Sequence, residues 1–309
     1  MARYLVTGGA GFIGSHIVAA LLKDGGEVRV LDNFSTGRRE NLDGLGDGLE
    51  ILEGDLRDPD AVTAAVRDVD VVFHEAAFVS VPASLDDPQT CLEVNVTGTA
   101  NLLEAARRAG VRRLVLASSA AVYGDSEDLP LSEETPPRPL SPYAASKLVD
   151  EIYAALYTHA FDLEVVALRY FNVFGPRQSP ETEYAAAVPI FIHRLLRGEP
   201  VTIFGDGGQT RDLIYVADVV RANLLAAEHP QAPGHVFNIC TGRETRLLDL
   251  VDVLMRLFPG APQPRFTAPR PGDIYRSVGD PTRAAQVLGF RARTSLEEGL
   301  KETLAWMRK

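Results

Sequence analysis

Arg3-Tyr4-Leu5-Val6-Thr7-Gly8-Gly9-Ala10-Gly11-Phe12-Ile13-Gly14 opens the chain and decides how the rest is read. Residues 3–7 read as a short buried strand. From Ser15 to Lys23 the apolar residues Ile17, Val18, Leu21 and Leu22 fall at helical spacing. Between the two stand glycines in G-x-x-G-x-x-G order. Gly8 permits a tight turn, Gly11 lets backbone approach a pyrophosphate, and Gly14 lets the helix pack closely on the strand it leaves. The helix then turns its unpaired N–H groups toward the anion.

A second strand, Glu27 to Leu31, ends in Asp32. An acid at this distance past the glycines accepts hydrogen bonds from an adenosine ribose, and its charge repels a 2′-phosphate. NAD is therefore the expected cofactor, with Arg38 and Arg39 keeping NADP open.

Strand-like and helix-like stretches go on alternating to about residue 170. Residues 50–55, 69–74, 113–119 and 163–169 read as strands, and 60–67, 90–110 and 143–160 as helices. This predicts an α/β fold, a Rossmann-type doubly wound parallel sheet covered on both faces. We expect it to span 1–169 and to be rejoined by parts of 211–241. Short strands and Pro/Gly-rich turns over 170–309 predict a smaller C-terminal α/β domain for the substrate. Ligands of such sheets lie beyond the strand C-terminal ends. Gly14, Asp32, Asp55, Ala76, Ala77, Ser118 and Ser119 all fall there.

Composition narrows the partners. A net charge of −11 without a basic block argues against nucleic acid. No apolar run reaches membrane-spanning length and no signal peptide is read, so no membrane partner is expected. Two distant cysteines, Cys91 and Cys240, suggest no disulfide framework and fit a reduced cytoplasm. The six histidines lack metal-binding spacing, so no metal is expected. Only four residues are lysine, which makes Lys147 a less casual surface charge. It lies four residues past Tyr143, on the same helical face. A cation beside a phenol favours the phenolate, and such a pair can move a proton.

The glycine turn, Ser118-Ser119, the Tyr143/Lys147 pair and Arg169-Tyr170-Phe171-Asn172-Val173-Phe174-Gly175 together resemble the extended short-chain dehydrogenase/reductases. Within them the whole chain is similar to the nucleotide-sugar 4-epimerases that act on UDP-hexoses. The resemblance implies that Tyr143 removes the proton of the sugar C4 hydroxyl while the C4 hydride passes to the nicotinamide. Lys147 would hold the nicotinamide ribose, and Ser119 would hydrogen-bond the C4 oxygen. The cofactor shell expected on this reading is Gly8, Gly11, Phe12, Ile13, Gly14, Asp32, Asn33, Asp55, Leu56, Ala76, Ala77, Asn95, Ser118, Tyr143, Lys147 and Tyr170.

Related 4,6-dehydratases carry an Asp-Glu pair directly after the Ser/Thr, and UDP-glucuronate decarboxylases a Glu at the second of those positions. Here they are Ala120 and Ala121. Alanine transfers no proton, so both reactions are disfavoured. Residues 78–84 offer no Arg or Lys to a uronate carboxylate. The resemblance assigns the nucleotide and diphosphate to Asn172, Val188, Thr202, Phe204, Arg211, Arg270 and Asp273. It makes the small Ser277 a place with room for an N-acetyl group. The expected reaction is reversible C4 epimerisation of UDP-glucose/UDP-galactose through a 4-keto intermediate. A UDP-N-acetylglucosamine or UDP-glucuronate 4-epimerase is the alternative, and a non-catalytic NAD-binding regulator the reading from another class. Apolar faces on the helices beginning near Thr90 and Tyr143 (Leu92, Val96, Leu102, Leu103; Leu148, Ile152, Leu156) match helices that form a dimer contact in relatives, so a homodimer is expected.

Overall fold

The computed structural model describes residues 2–180, 186–269 and 274–308. Strand β1 (Arg3–Thr7) leads through the glycine turn into helix α1 (Phe12–Lys23). Then follow β2 (Glu27–Asp32), β3 (Leu49–Glu53), α2 (Pro59–Ala65) and β4 (Val71–His74). After β4 come α3 (Val81–Asp86), α4 (Pro88–Leu92) and α5 (Gly98–Ala109), and then β5 (Arg113–Ser119), α6 (Pro142–Phe161) and β6 (Glu164–Tyr170). The strand Val236–Ile239 returns to pair with β6. The seven strands are parallel throughout, and β1 is the strand from which the order runs both ways: β3-β2-β1 on one side, β4-β5-β6-Val236–Ile239 on the other. The doubly wound parallel sheet expected from the alternation is therefore what forms.

Central strands are buried on both faces because apolar side chains leave them both ways. Val6, Phe73, Val115 and Leu168 face a core with Ile17 of α1 and Ala222 of helix Val216–Glu228. Leu5, Val72, Leu114 and Ala167 face another with Val62 of α2, Leu102 of α5 and Ala154 of α6. Because each helix returns antiparallel to its strand, α1, α5 and α6 relate directly to the strand C-terminal edge. Both α1 and α6 begin there.

A third core lies after β6. It joins Phe174, helix Ala187–Leu196, helix Leu247–Leu257 and helix Leu296–Met307 around Phe191, Ile203 and Leu250. Small strand pairs accompany it. Asn172–Phe174 runs parallel to Leu213–Tyr215, and Thr202–Phe204 parallel to Arg265–Thr267.

One expected element differs. The long helix over 90–110 is interrupted. Glu93–Thr97, between α4 and α5, is a π turn that inserts an extra residue per turn. Asn95 sits in it, fully buried.

Candidate active site

At the glycine turn the backbone leaves no room for side chains. Gly8 has φ +66°, and a Cβ there would stand 2.6 Å from the Ala76 nitrogen. A Cβ on Gly14 would stand 2.2 Å from the Gly8 carbonyl oxygen. Gly11 differs: apart from the Gly8 oxygen at 3.1 Å, a Cβ there would meet open space. The Gly11 N–H donates to that oxygen at 3.0 Å and closes the turn. Helix α1 starts at Phe12 with no side-chain cap and no acid in its first turn. Its leading N–H groups thus remain for an anion.

Asp32 is buried at the tip of β2. Its Oδ2 accepts from the Ala10 N–H at 2.9 Å and its Oδ1 from the Phe34 N–H at 2.8 Å. The carboxylate is locked in place with further lone pairs for a ribose diol. A glycine cradle against a helix N-terminus, with a fixed acid beside it, fits a dinucleotide. Next to it Asp55 accepts from Asn33 Nδ2 at 2.8 Å and from Arg57 Nε and Nη2 at 2.9 and 2.8 Å. The Arg57 guanidinium holds its carboxyl well below the usual carboxylate range. Arg57 is a neighbour the sequence reading missed. Leu56 is buried, against the spot where a Cβ on Gly98 would fall.

Ser141 caps α6, its Oγ accepting from the Ala144 N–H at 3.1 Å, and Pro142 takes the first helical position. Tyr143 therefore lies in the first turn, at the strand C-terminal edge. Its backbone is gripped from two sides. The Tyr143 N–H donates to Ser84 Oγ at 3.2 Å, and its carbonyl accepts from Ser146 Oγ at 2.8 Å. Ser146 Oγ in turn accepts from Asn95 Nδ2 at 2.8 Å. Asn95 also binds the Phe78 N–H through Oδ1 at 2.7 Å and the Phe78 carbonyl at 3.1 Å. The π turn is what aims Asn95 at both the segment after Ala77 and the tyrosine's own turn. Ser84 and Ser146 carry no signal in the sequence beyond being small and polar.

Helix α6 packs along β5 and against the 3₁₀ turn Ala120–Tyr123, which brings Tyr143 and Lys147 to the edge where Ser119 stands. The two serines of β5 point oppositely, as strand neighbours must. Ser119 Oγ accepts from the Ala121 N–H at 3.1 Å and keeps its own proton to give. Ser118 instead donates to Glu151 Oε1 at 2.5 Å. Glu151 is clasped by Arg169 at 2.8 and 2.7 Å, and that guanidinium lies 4.7 Å over the Tyr123 ring. The Ser118 hydroxyl is thus tied into a buried ion-pair network inside the fold.

Lys147 is buried, 3% exposed, with Asp150 Oδ2 at 3.6 Å. At the end of β4, burial pushes the Glu75 carboxyl up to about 7, while the Tyr170 hydroxyl, donating at 2.7 Å, and Lys147 pull it back. Asn223 Nδ2 supports that hydroxyl at 2.8 Å. Burial also holds His74 neutral, down to about 3. Ala76 and Ala77 follow directly.

The C-terminal candidates are more dispersed. Asn172 is exposed on its strand, and Val188 is packed inside the third core. Thr202 Oγ1 accepts from Arg194 at 2.5 Å, Phe204 is half-buried, and Arg211 donates to the Thr210 carbonyl at 2.7 Å. Ser277 is half-buried, two residues past Tyr275, whose hydroxyl donates to Asp206 at 3.0 Å. Arg270 and Asp273 lie outside the described residues. Among the described residues there is no cluster of three His, Cys, Asp or Glu fit for a metal. Nor is any helix among them long and apolar enough to cross a membrane.

Residues 4–240 match the model of the NAD dependent epimerase/dehydratase family. The UDP-glucose 4-epimerase of Mycolicibacterium smegmatis is 44% identical over 99% of this chain and 98% of its own. Among solved structures, a UDP-N-acetylglucosamine 4-epimerase from Methanobrevibacter ruminantium, in complex with UDP-N-acetylmuramic acid, superposes with TM-score 0.95 at 38% identity, over 99% of this chain and 98% of that one. The Thermus thermophilus UDP-glucose 4-epimerase, in complex with NAD, does so with TM-score 0.90 at 42% identity, over 99% of each.

Proposed function

We propose that this chain, which belongs to the NAD dependent epimerase/dehydratase family, is a UDP-sugar 4-epimerase whose substrates are the neutral UDP-hexoses, with UDP-glucose/UDP-galactose as the principal pair. The observation that carries the reading is the turn that begins α6. Tyr143 and Lys147 share one helical face, and the tyrosine's backbone is fixed by Ser84 and Ser146 at the strand edge where Ser119 stands.

The glycine cradle and Asp32 would hold NAD, which when bound would supply the reversible acceptor for the C4 hydride. The chain's own residues do the remainder. Ser119 donates to the C4 oxygen and fixes its position. Tyr143 takes the C4 hydroxyl proton and later returns it, and Lys147 holds the nicotinamide ribose. Ala120 and Ala121 offer no acid or base, which favours return of the hydride over loss of water or carbon dioxide. The 4-keto sugar must turn in the pocket, so Asn172, Thr202, Phe204 and Arg211 are read as holding the nucleotide and diphosphate while the sugar rotates. Arg270 and Asp273 are read from sequence as part of the same grip.

A second substrate class rests on Ser277. A small residue there leaves room for a 2-acetamido group, so UDP-N-acetylglucosamine/UDP-N-acetylgalactosamine are proposed as further substrates. The lack of Arg or Lys over residues 78–84 speaks against UDP-glucuronate.

The enzyme is read as a homodimer. Leu102 and Leu103 are buried in the chain's own core, but Leu92, Ile152 and Leu156 are exposed by 50, 58 and 47% on the outer faces of α4 and α6. An apolar patch of this kind favours pairing with a second copy. We read its place of action as the cytoplasm.

Proton NMR of the anomeric signals tests the substrate reading. UDP-galactose, UDP-N-acetylgalactosamine and UDP-glucuronate are each incubated with protein and NAD. Conversion of the first, with or without the second, agrees with it; conversion of the uronate alone overturns it.

A further inference from the structure

Lys147 does not stand alone in the interior. Asp150, one turn on, is 1% exposed and places Oδ2 3.6 Å from the ammonium. That is too long for a hydrogen bond, and Oδ2 has no hydrogen-bond partner. Burial pushes this carboxyl up to about 7, while Lys147 and Thr99 of α5 pull it back toward the charged form.

Thr99 also belongs to a buried run of polar contacts. Its Oγ1 and His74 Nε2 share a hydrogen bond at 2.9 Å. His74 is neutral, and its Nδ1 shares a hydrogen bond with Thr7 Oγ1 at 2.7 Å. Thr7 Oγ1 in turn accepts from the Ala76 N–H at 3.3 Å. Ala76 is the residue that crowds Gly8. Thr7, His74, Thr99 and Asp150 are all buried. Hydrogen bonds thus lead from the glycine cradle through Thr7 and His74 to Thr99, beside the buried Asp150.

We propose that Asp150 is the positioning residue of Lys147, a buried counter-ion that places and holds its ammonium. The role it serves rests on the reading of Lys147 given above; the charge pairing does not. The groups around the pair are few. Glu151 lies on the same helix, Cys91 comes from α4, and His74 and Glu75 face Lys147 from β4. His74 is neutral, and burial raises the Cys91 thiol, the Glu75 carboxyl and the Asp150 carboxyl alike, with Lys147 drawing both carboxyls back toward their charged forms. Glu151 is taken up by Arg169. Among the described residues Asp150 is the carboxylate that comes within ion-pair distance of the ammonium, at 3.6 Å.

The test uses full-length protein labelled with [¹³Cε]lysine and saturated with NAD. Only four lysines are present, and Lys147 is the buried one among those described. Its resonance is assigned by its loss in Lys147→Met. Asp150→Asn keeps the shape but removes the charge. In that variant the pH at which the buried resonance moves falls by about one to three units, the range set by one opposite charge at this distance. The turnover optimum moves toward lower pH with it. A resonance that moves at the wild-type pH in Asp150→Asn overturns the proposal, whatever the turnover shows. If the resonance shifts as expected but wild-type protein epimerises no UDP-sugar, the counter-ion stands and the functional reading falls. Should Asp150→Asn fail to fold, the smaller Asp150→Ser serves. It too removes the charge, and the resonance shifts in the same sense. No shift there counts against the proposal.

Discussion

Replacing Gly11 and Gly14 one at a time by alanine separates two jobs that the glycine turn performs. At Gly14 the added methyl meets the Gly8 oxygen at 2.2 Å and the Gly9 Cα at 3.0 Å, both backbone. That oxygen already accepts the Gly11 N–H, so it cannot move without loosening the turn. Overpacking of this kind costs about 1–3 kcal/mol. Alanine's better helix propensity returns at most about 1 kcal/mol. Gly14→Ala is therefore expected to lower the melting temperature by several degrees and to weaken NAD binding together with it. At Gly11 the backbone is extended, with φ −76° and ψ −175°, which alanine accepts without strain. Its methyl meets only the Gly8 oxygen, at 3.1 Å, and otherwise fills space before the helix N-terminus. Gly11→Ala is expected to leave the unfolding free energy of the NAD-free protein within about 1 kcal/mol of wild type and to weaken NAD at least about tenfold. Thermal unfolding without NAD and calorimetric titration with it read both quantities. Wild-type NAD affinity in Gly11→Ala would refute the placement of the pyrophosphate, and an unchanged melting temperature in Gly14→Ala would refute the packing argument.

Further outcomes follow from the buried charges and from the sugar pocket. The folded state holds the Glu75 proton up to about pH 7, against 4.5 when unperturbed, so the stability this group contributes is complete below that lower value and lost as pH rises through 7. Glu75→Gln removes about 2–3 kcal/mol of that decline and flattens the melting temperature of NAD-free protein between pH 5 and 8; Asp150, likewise raised to about 7, keeps part of the slope. Equal slopes in variant and wild type would contradict the burial of Glu75. Glu151→Gln leaves the Arg169 guanidinium buried beside Tyr123 without its counter-charge, and denaturant unfolding should show a loss of about 3–5 kcal/mol; a loss under 1 kcal/mol would mean the network is not what holds β5, β6 and α6 together. Ser277→Tyr should abolish turnover of UDP-N-acetylgalactosamine while UDP-galactose keeps at least about a tenth of its rate. Equal losses on both sugars would remove Ser277 from the specificity argument.

The parallel sheet was legible because its signals are local. Buried strands show as apolar runs, and the glycine turn is demanded by backbone approach within eight residues. Asp32 was legible for the same reason, since its place at the tip of β2 follows from chain length alone. What stayed hidden depends on distant partners. Ser118 and Ser119 look alike in sequence, yet strand alternation sends Ser118 to Glu151 and Ser119 to the 3₁₀ turn. The π turn at Asn95 has no compositional mark. It is defined by the Phe78 and Ser146 contacts, 17 and 51 residues away in sequence. The apolar faces proposed for a dimer are divided in the same way, because periodicity shows which residues share a face but not which face the sheet covers.

The most direct check on the whole account is the rate at which Tyr143→Phe interconverts UDP-galactose and UDP-glucose, followed by proton NMR beside wild type at saturating NAD. The phenylalanine keeps the ring and the Ser84 and Ser146 contacts, which are made through the backbone. The account predicts steady interconversion by wild type and a fall of about 10²–10⁴-fold in the variant, with NAD affinity retained. A variant that still epimerises within tenfold of wild type would contradict it.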